Sequence, residues 1–167
     1  MSYPQFANVG MAPNLCLTSA GITGLSGAAT TFSTGGTKTF MLNGDLYTRA
    51  AFAGAATPTT DVNTGVAFRT LAVNQGSVYV WLLEGSGGTI RVAQGSIEQL
   101  DSAGNFLNAP QFPQIPDGAV AIAYSVVRAG STYAGSGFRF GSDNWNTTGI
   151  TIASRNVGLL PPRPRIN

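Results

Sequence analysis

Thr37-Lys38-Thr39-Phe40-Met41-Leu42-Asn43-Gly44-Asp45-Leu46-Tyr47-Thr48-Arg49 sets two strand-like runs on either side of an Asn-Gly pair. A two-residue hairpin turn needs positive φ at both central residues, which Asn and Gly tolerate, so the stretch reads as a β-hairpin. Outward from it the period stays at two. After a Gly/Ala/Thr/Pro-rich connection over 54–64, Val66 to Val73 reads as a strand and Asn74-Gln75-Gly76 as a turn. Ser77-Val78-Tyr79-Val80-Trp81-Leu82-Leu83 is rich in the β-branched and aromatic residues that strands favour. Glu84 to Gly88 turns the chain into Thr89 to Gln94, Ile97 to Leu100 follows, and Asp101 to Asn105 is a second Gly-bearing turn. From Thr30 to Gly158 no window free of Gly and Pro carries apolar residues at helical spacing. The chain is predicted to be all-β, an antiparallel sandwich or barrel.

The segment Asn108-Ala109-Pro110-Gln111-Phe112-Pro113-Gln114-Ile115-Pro116-Asp117-Gly118 cannot be a central strand, because proline removes ladder donors. It is expected to be an extended connection carrying the chain between sheets. Ala119 to Val127 is the most apolar run and reads as a strand buried on both faces. Tyr133 to Phe140 and Gly149 to Ala153 supply two further short strands. The ends look like arms flanking a β-sandwich domain over 23–156. Residues 1–22 lack alternation, and residues 157–167 are stiffened by Pro161, Pro162 and Pro164. Both arms keep leucines, so docking on a neighbouring chain and fraying stand as alternatives for them. Their deletion is expected to leave the fold intact.

The chain has 167 residues, the size of one domain. Charged residues make up 10% of it, against about 25% in an ordinary soluble domain. A surface so poor in charge favours burial against copies of the chain or against a large partner. The net charge of +2 comes from arginines spread singly, with only Arg163 and Arg165 close together, so nucleic-acid binding is not expected. The longest apolar stretch falls well short of the about 20 residues of a membrane-crossing helix, and no membrane partner is expected. The N-terminus lacks a basic region followed by an apolar run, and one unpaired cysteine fits a chain made in a reducing cytoplasm.

There is no histidine, which removes the commonest general base and metal ligand, so no metal site and no cofactor are expected. Cys16, between Leu15 and Leu17, reads as a small buried hydrophobe. Gly35-Gly36-Thr37-Lys38-Thr39 puts threonine where a phosphate loop needs glycine before its lysine. The acids Asp45, Asp61, Glu84, Glu98, Asp101, Asp117 and Asp143 fall at turns or outward strand positions, not as a catalytic pair. No enzyme is expected. Trp81, Trp145, Tyr133 and Phe138 could offer stacking faces to a sugar. Trp81 reads as core, whereas Trp145, in the loop Gly141-Ser142-Asp143-Asn144-Trp145-Asn146, either folds back as a plug or meets a partner.

The order of Ile97-Glu98-Gln99-Leu100-Asp101, Gly104-Asn105, the Pro-rich linker 109–118, Ala121-Ile122-Ala123-Tyr124 and Phe138-Arg139-Phe140-Gly141-Ser142-Asp143-Asn144-Trp145-Asn146-Thr147-Thr148-Gly149 resembles small structural proteins of tailed bacteriophages, among them capsid decoration or cement proteins. It covers about a third of the chain. The resemblance implies an antiparallel β-sandwich of jelly-roll-like type, a virion part on the capsid surface, binding the major capsid protein and associating with itself, as a trimer, to stabilise the shell. The alternative is a tail-fibre or adhesin module that binds host glycan. Leu15, Leu17, Trp145, Leu159, Leu160, Arg163 and Arg165 are the candidate partner-binding residues.

Overall fold

The structure is a computed structural model that describes residues 14–166. Among these there is no helix. The strands are β1 (Leu15–Cys16), β2 (Thr31–Phe32), β3 (Lys38–Leu42), β4 (Asp45–Arg49), β5 (Ala55–Ala56), β6 (Gln75–Glu84), β7 (Thr89–Gln99), β8 (Ala119–Ala129) and β9 (Ile150–Asn156). They pair antiparallel in three sheets, ordered β1-β3-β4, β2-β5 and β7-β6-β8-β9. The all-β, antiparallel expectation holds. At the Asn-Gly turn both residues take positive φ, 54° and 92°, and β3 and β4 pair in unbroken register from Leu42↔Asp45 to Lys38↔Arg49.

The four-stranded sheet is the centre of the molecule, and it is covered on both sides. Tyr79, Trp81 and Leu83 of β6 face one apolar cluster, which also takes Cys16, Phe40 and Leu42 from the three-stranded sheet. Val78, Val80 and Leu82 face the other cluster, with Ala121, Tyr124 and Val126. This double burial explains why β6 and β8 read as continuous apolar runs. Opposite β6, Trp81 pairs Ala123 while Leu82 pairs Ala121, so Ile122 is an extra residue in β8. The bulge reverses the alternation: Val120, Ile122, Ala123 and Val127 all serve the first cluster.

Three expectations differ from the structure. Val66–Val73 and Tyr133–Phe140 are not strands; isolated bridges Thr60↔Ala67 and Leu71↔Phe138 are all the ladder they form. Their apolar residues Phe68, Leu71, Phe138 and Phe140 are anchors driven into the first cluster from irregular backbone. The pieces 89–94 and 97–100 join into one strand through a bulge, since Ser77 faces Ile97 but Tyr79 faces Gln94. The Pro-rich linker stays with one sheet. β7 and β8 flank β6 and are each antiparallel to it, hence parallel to one another, and parallel strands need a crossover. The linker crosses the second face, packing Phe112 and Ile115 into its cluster. Gln111 accepts from Ser96 N–H at 3.2 Å and donates to Ser96 Oγ at 2.9 Å.

The described parts of both termini lie on the domain. β1 pairs with β3, and Cys16 N–H donates to the Gly158 carbonyl at 3.0 Å, so the two ends run side by side. Val157 N–H donates to the Ile122 carbonyl at 3.0 Å, and Val157 and Leu160 pack into the second cluster. The rest of the expected N-terminal arm, residues 1–13, lies outside the described residues.

Candidate interaction surface

In the three-stranded sheet, alternation sends Cys16, Lys38, Phe40 and Leu42 inward. Leu15, Met41 and Leu46 are cross-strand neighbours in one row and share the opposite parity. Leu17 follows on the same face, its N–H donating to the Thr39 carbonyl at 2.9 Å, and Thr39 lies opposite Thr48. Leu46 is 63% exposed and Leu17 52%. The outward positions are therefore leucine, methionine and threonine, with no charge among them. A solvated face of this kind is the type that marks an interaction site.

Leu159, 69% exposed, directly follows the residue bonded to Cys16, so it reaches the same end of the sheet. Beside it, Asn14, Ile115, Ala119, Ala121 and Leu160 line a cavity of about 260 Å³. The fold thus sets the segments carrying Leu15, Leu17 and Leu159 side by side from opposite ends of the chain, while Leu160 turns into the second cluster. Sequence reasoning missed Met41 and Leu46. The signal for them was present, because a hairpin strand apolar at both parities, as Phe40-Met41-Leu42 is, must expose one side unless both are covered.

The other candidates go elsewhere. Arg163 lines a groove with Pro110 and Phe112, and Arg165 lines another with Tyr124, whose hydroxyl accepts from Arg165 N–H at 2.9 Å. Trp145 corrects its assignment as a partner-binding residue. It is 2% exposed and packs on Phe140 with ring centroids 5.1 Å apart, a plug in its own core. Trp81, Phe138 and Tyr133 are buried too, so none of the four aromatics presents a stacking face to a sugar.

Cys16 is buried, its Sγ donating to the Thr18 carbonyl at 3.0 Å. The single lysine is buried as well. Burial holds the Lys38 ammonium below its ordinary value, against a smaller opposing effect of Cys16, and its Nζ donates to the Gly36 carbonyl at 2.7 Å. Burial pushes the Tyr79 hydroxyl above its usual range, and Gln94 Nε2 donates to it at 3.0 Å. The acids serve turns: Asp101 accepts from the N–H groups of Ala103 and Asn105, bonds that hold its carboxyl low, and Asp61 accepts from Asn63 N–H. No group of three His, Cys, Asp or Glu able to hold a metal occurs among the described residues, and no helix long and apolar enough to cross a membrane occurs among them. Comparison with known families, characterised proteins and solved structures finds no match to this chain.

Proposed function

We propose that this chain is a structural, non-catalytic association module: a decoration protein on the head of a tailed bacteriophage, docking on the major capsid protein through the outer face of β1-β3-β4. The observation that carries the reading is that face, where Leu15, Leu17, Met41 and Leu46 stand outward with no charge among them. Cementing a shell requires apolar and hydrogen-bonding area repeated by symmetry, and no catalyst. A homo-oligomer multiplies a modest contact at each copy into a large stabilisation. The low charge of the whole chain and the phage-like pattern over 96–149 support the same reading. We read the packing of Phe40 and Leu42 against Tyr79 and Trp81 as the core of a β-sandwich of jelly-roll type.

The test is co-sedimentation of the purified full chain with heads that lack it. Binding is expected, with loss of at least tenfold in affinity in Leu17→Lys/Met41→Lys and no change in its unfolding midpoint. Full-chain protein that stays in the supernatant, or a double variant that binds as well as the parent, overturns the assignment.

A further inference from the structure

β4 is the outer strand of its sheet, with one edge unpaired among the described residues. In a two-residue hairpin the residues flanking the turn form a hydrogen-bonded pair, so Asp45, Tyr47 and Arg49 direct their backbone groups to β3. The opposite side of β3 agrees, since Thr39 presents its carbonyl to Leu17 and its N–H to Thr18 Oγ1. Leu46 and Thr48 therefore aim their N–H and C=O groups outward, and no described residue bonds to those groups. Edge strands are usually blunted by charge, proline or a bulge. β4, Asp45-Leu46-Tyr47-Thr48-Arg49, has no proline and pairs regularly with β3, and its two charges are of opposite sign, so against a second copy they attract where like charges would repel.

That sequence is complementary to its own reverse. If two copies of β4 lie antiparallel about a two-fold axis through Tyr47, Leu46 of one faces Thr48 of the other, and each such pair exchanges both backbone bonds. Asp45 then stands opposite Arg49 at each end of the ribbon. Both residues are exposed, and the single ion pair among the described residues is Arg91–Glu84, so neither has an ionic partner among them; the Arg49 guanidinium lies over the Phe52 ring, 4.8 Å from its centroid. Sliding the register by two residues either way keeps the backbone bonding possible but removes both Asp–Arg contacts, so charge selects one register.

We propose that the chain forms a two-fold dimer by antiparallel pairing of β4 with β4, giving a continuous sheet β1-β3-β4-β4-β3-β1. The row Leu15-Met41-Leu46 of each copy then runs on into Thr48-Thr39-Leu17 of the other, giving one uncharged strip across both. The pairing deepens the association reading above by naming the self-contact, and it makes the oligomer two-fold in place of the trimer expected from the sequence.

The experiment is the mass of the full chain in solution across a concentration series, with charge variants. A dimer is expected. Asp45→Arg and Arg49→Asp each put like charges opposite one another and should weaken it about tenfold or more, whereas Asp45→Arg/Arg49→Asp should restore it. Tyr47→Cys should cross-link on oxidation, because residues facing each other at a non-hydrogen-bonded position stand about 4.5 Å apart, within disulfide reach. A monomer at every concentration, a trimer, or a dimer indifferent to the single swaps with no cross-link at 47 overturns the pairing. A dimer that ignores phage heads keeps the pairing and overturns the docking reading; a monomer that binds heads does the reverse.

Discussion

The indole N–H of Trp145 donates to the backbone carbonyl of Thr31 at 2.9 Å, tying the loop before β9 to the edge strand β2. Asn146 N–H adds a bond to the Gly27 carbonyl at 3.1 Å, so one loop tryptophan organises a seam between distant parts of the chain. Trp145→Phe keeps an aromatic plug but loses this bond and some buried area, and is expected to cost about 1–2 kcal/mol. Trp145→Ala should cost about 3–5 kcal/mol. Urea unfolding measures both, and a change below about 0.5 kcal/mol in the alanine variant would show that the loop swings free of the core.

The other tryptophan heads a short polar relay inside the sheet. Trp81 Nε1 donates to Ser125 Oγ at 2.9 Å, and Ser125 Oγ lies 2.7 Å from Ser154 Oγ on β9. Ser125→Ala leaves a fully buried indole N–H without an acceptor and should cost about 1–3 kcal/mol. Ser154→Ala removes a hydroxyl on an exposed residue and should stay within about 0.5 kcal/mol. Equal losses in the two variants would mean that the relay, not the buried indole donor, carries the energy.

Local chemistry was readable in the sequence, and its long-range consequences were not. The Asn43-Gly44 turn, the Asp101 turn and the two-faced burial of β8 each depend on residues close together, or on one strand being covered twice. The misread segments share a cause: Phe68, Leu71, Phe138 and Phe140 are apolar because they anchor loops to the core, and a loop anchor looks like a strand residue when only composition is visible. The bulges at Ile122 and at Gly95-Ser96 depend on a partner strand's register. At the candidate surface, Leu15 and Leu17 stood out as apolar excess in a segment without alternation. Met41 and Leu46 did not, because which side of a hairpin meets water is decided by the sheet that packs against it.

Gly95 sits where the linker passes over β7. A Cβ built there would lie 2.2 Å from the Gln111 carbonyl oxygen and 2.6 Å from a Val78 methyl, so Gly95→Ala must lift the linker or bend the strand. A cost of about 1–3 kcal/mol is expected, with faster proteolytic cutting within 107–116. Gly87→Ala is the control, since its Cβ meets nothing within 4 Å and its φ is not positive. It should be neutral or slightly stabilising; equal damage in both variants would remove the linker contact as the cause.

Two buried groups set opposite trends with alkali. Tyr79 has its folded value raised by burial, so above about pH 10 the unfolded chain releases a proton that the folded chain holds, and stability falls as pH rises. Lys38 is lowered by burial, so its charged form penalises the fold at neutral pH, and that penalty is relieved as pH rises towards 10.5. Unfolding free energy is expected to rise towards pH 10 and then to decline by up to about 1.4 kcal/mol per pH unit. Lys38→Met should flatten the rise and Tyr79→Phe should flatten the decline. Denaturant titrations between pH 7 and 11.5 or so test both limbs, and an unchanged profile in either variant refutes that residue's part.

The C-terminal segment should not be removable without cost, contrary to what its proline-rich, tail-like composition suggests. Leu160 packs with Val157 against the cluster of Val80, Leu82, Tyr124 and Val126, Pro164 is buried, and Arg165 N–H reaches the Tyr124 hydroxyl. Deleting 159–167 uncovers part of the face of the central sheet that the crossover linker does not occupy. Full burial of a leucine contributes about 1.5–3 kcal/mol and Leu160 is half-buried, so a loss of about 1–3 kcal/mol is expected once the buried proline is included and the gain in chain freedom is set against it. Leu159→Ser separates this effect from surface chemistry, since Leu159 is 69% exposed and its replacement should change stability by less than about 0.5 kcal/mol. Thermal unfolding of the two variants beside the full chain decides the matter: a truncated protein as stable as its parent would mean that the segment only rests on the domain.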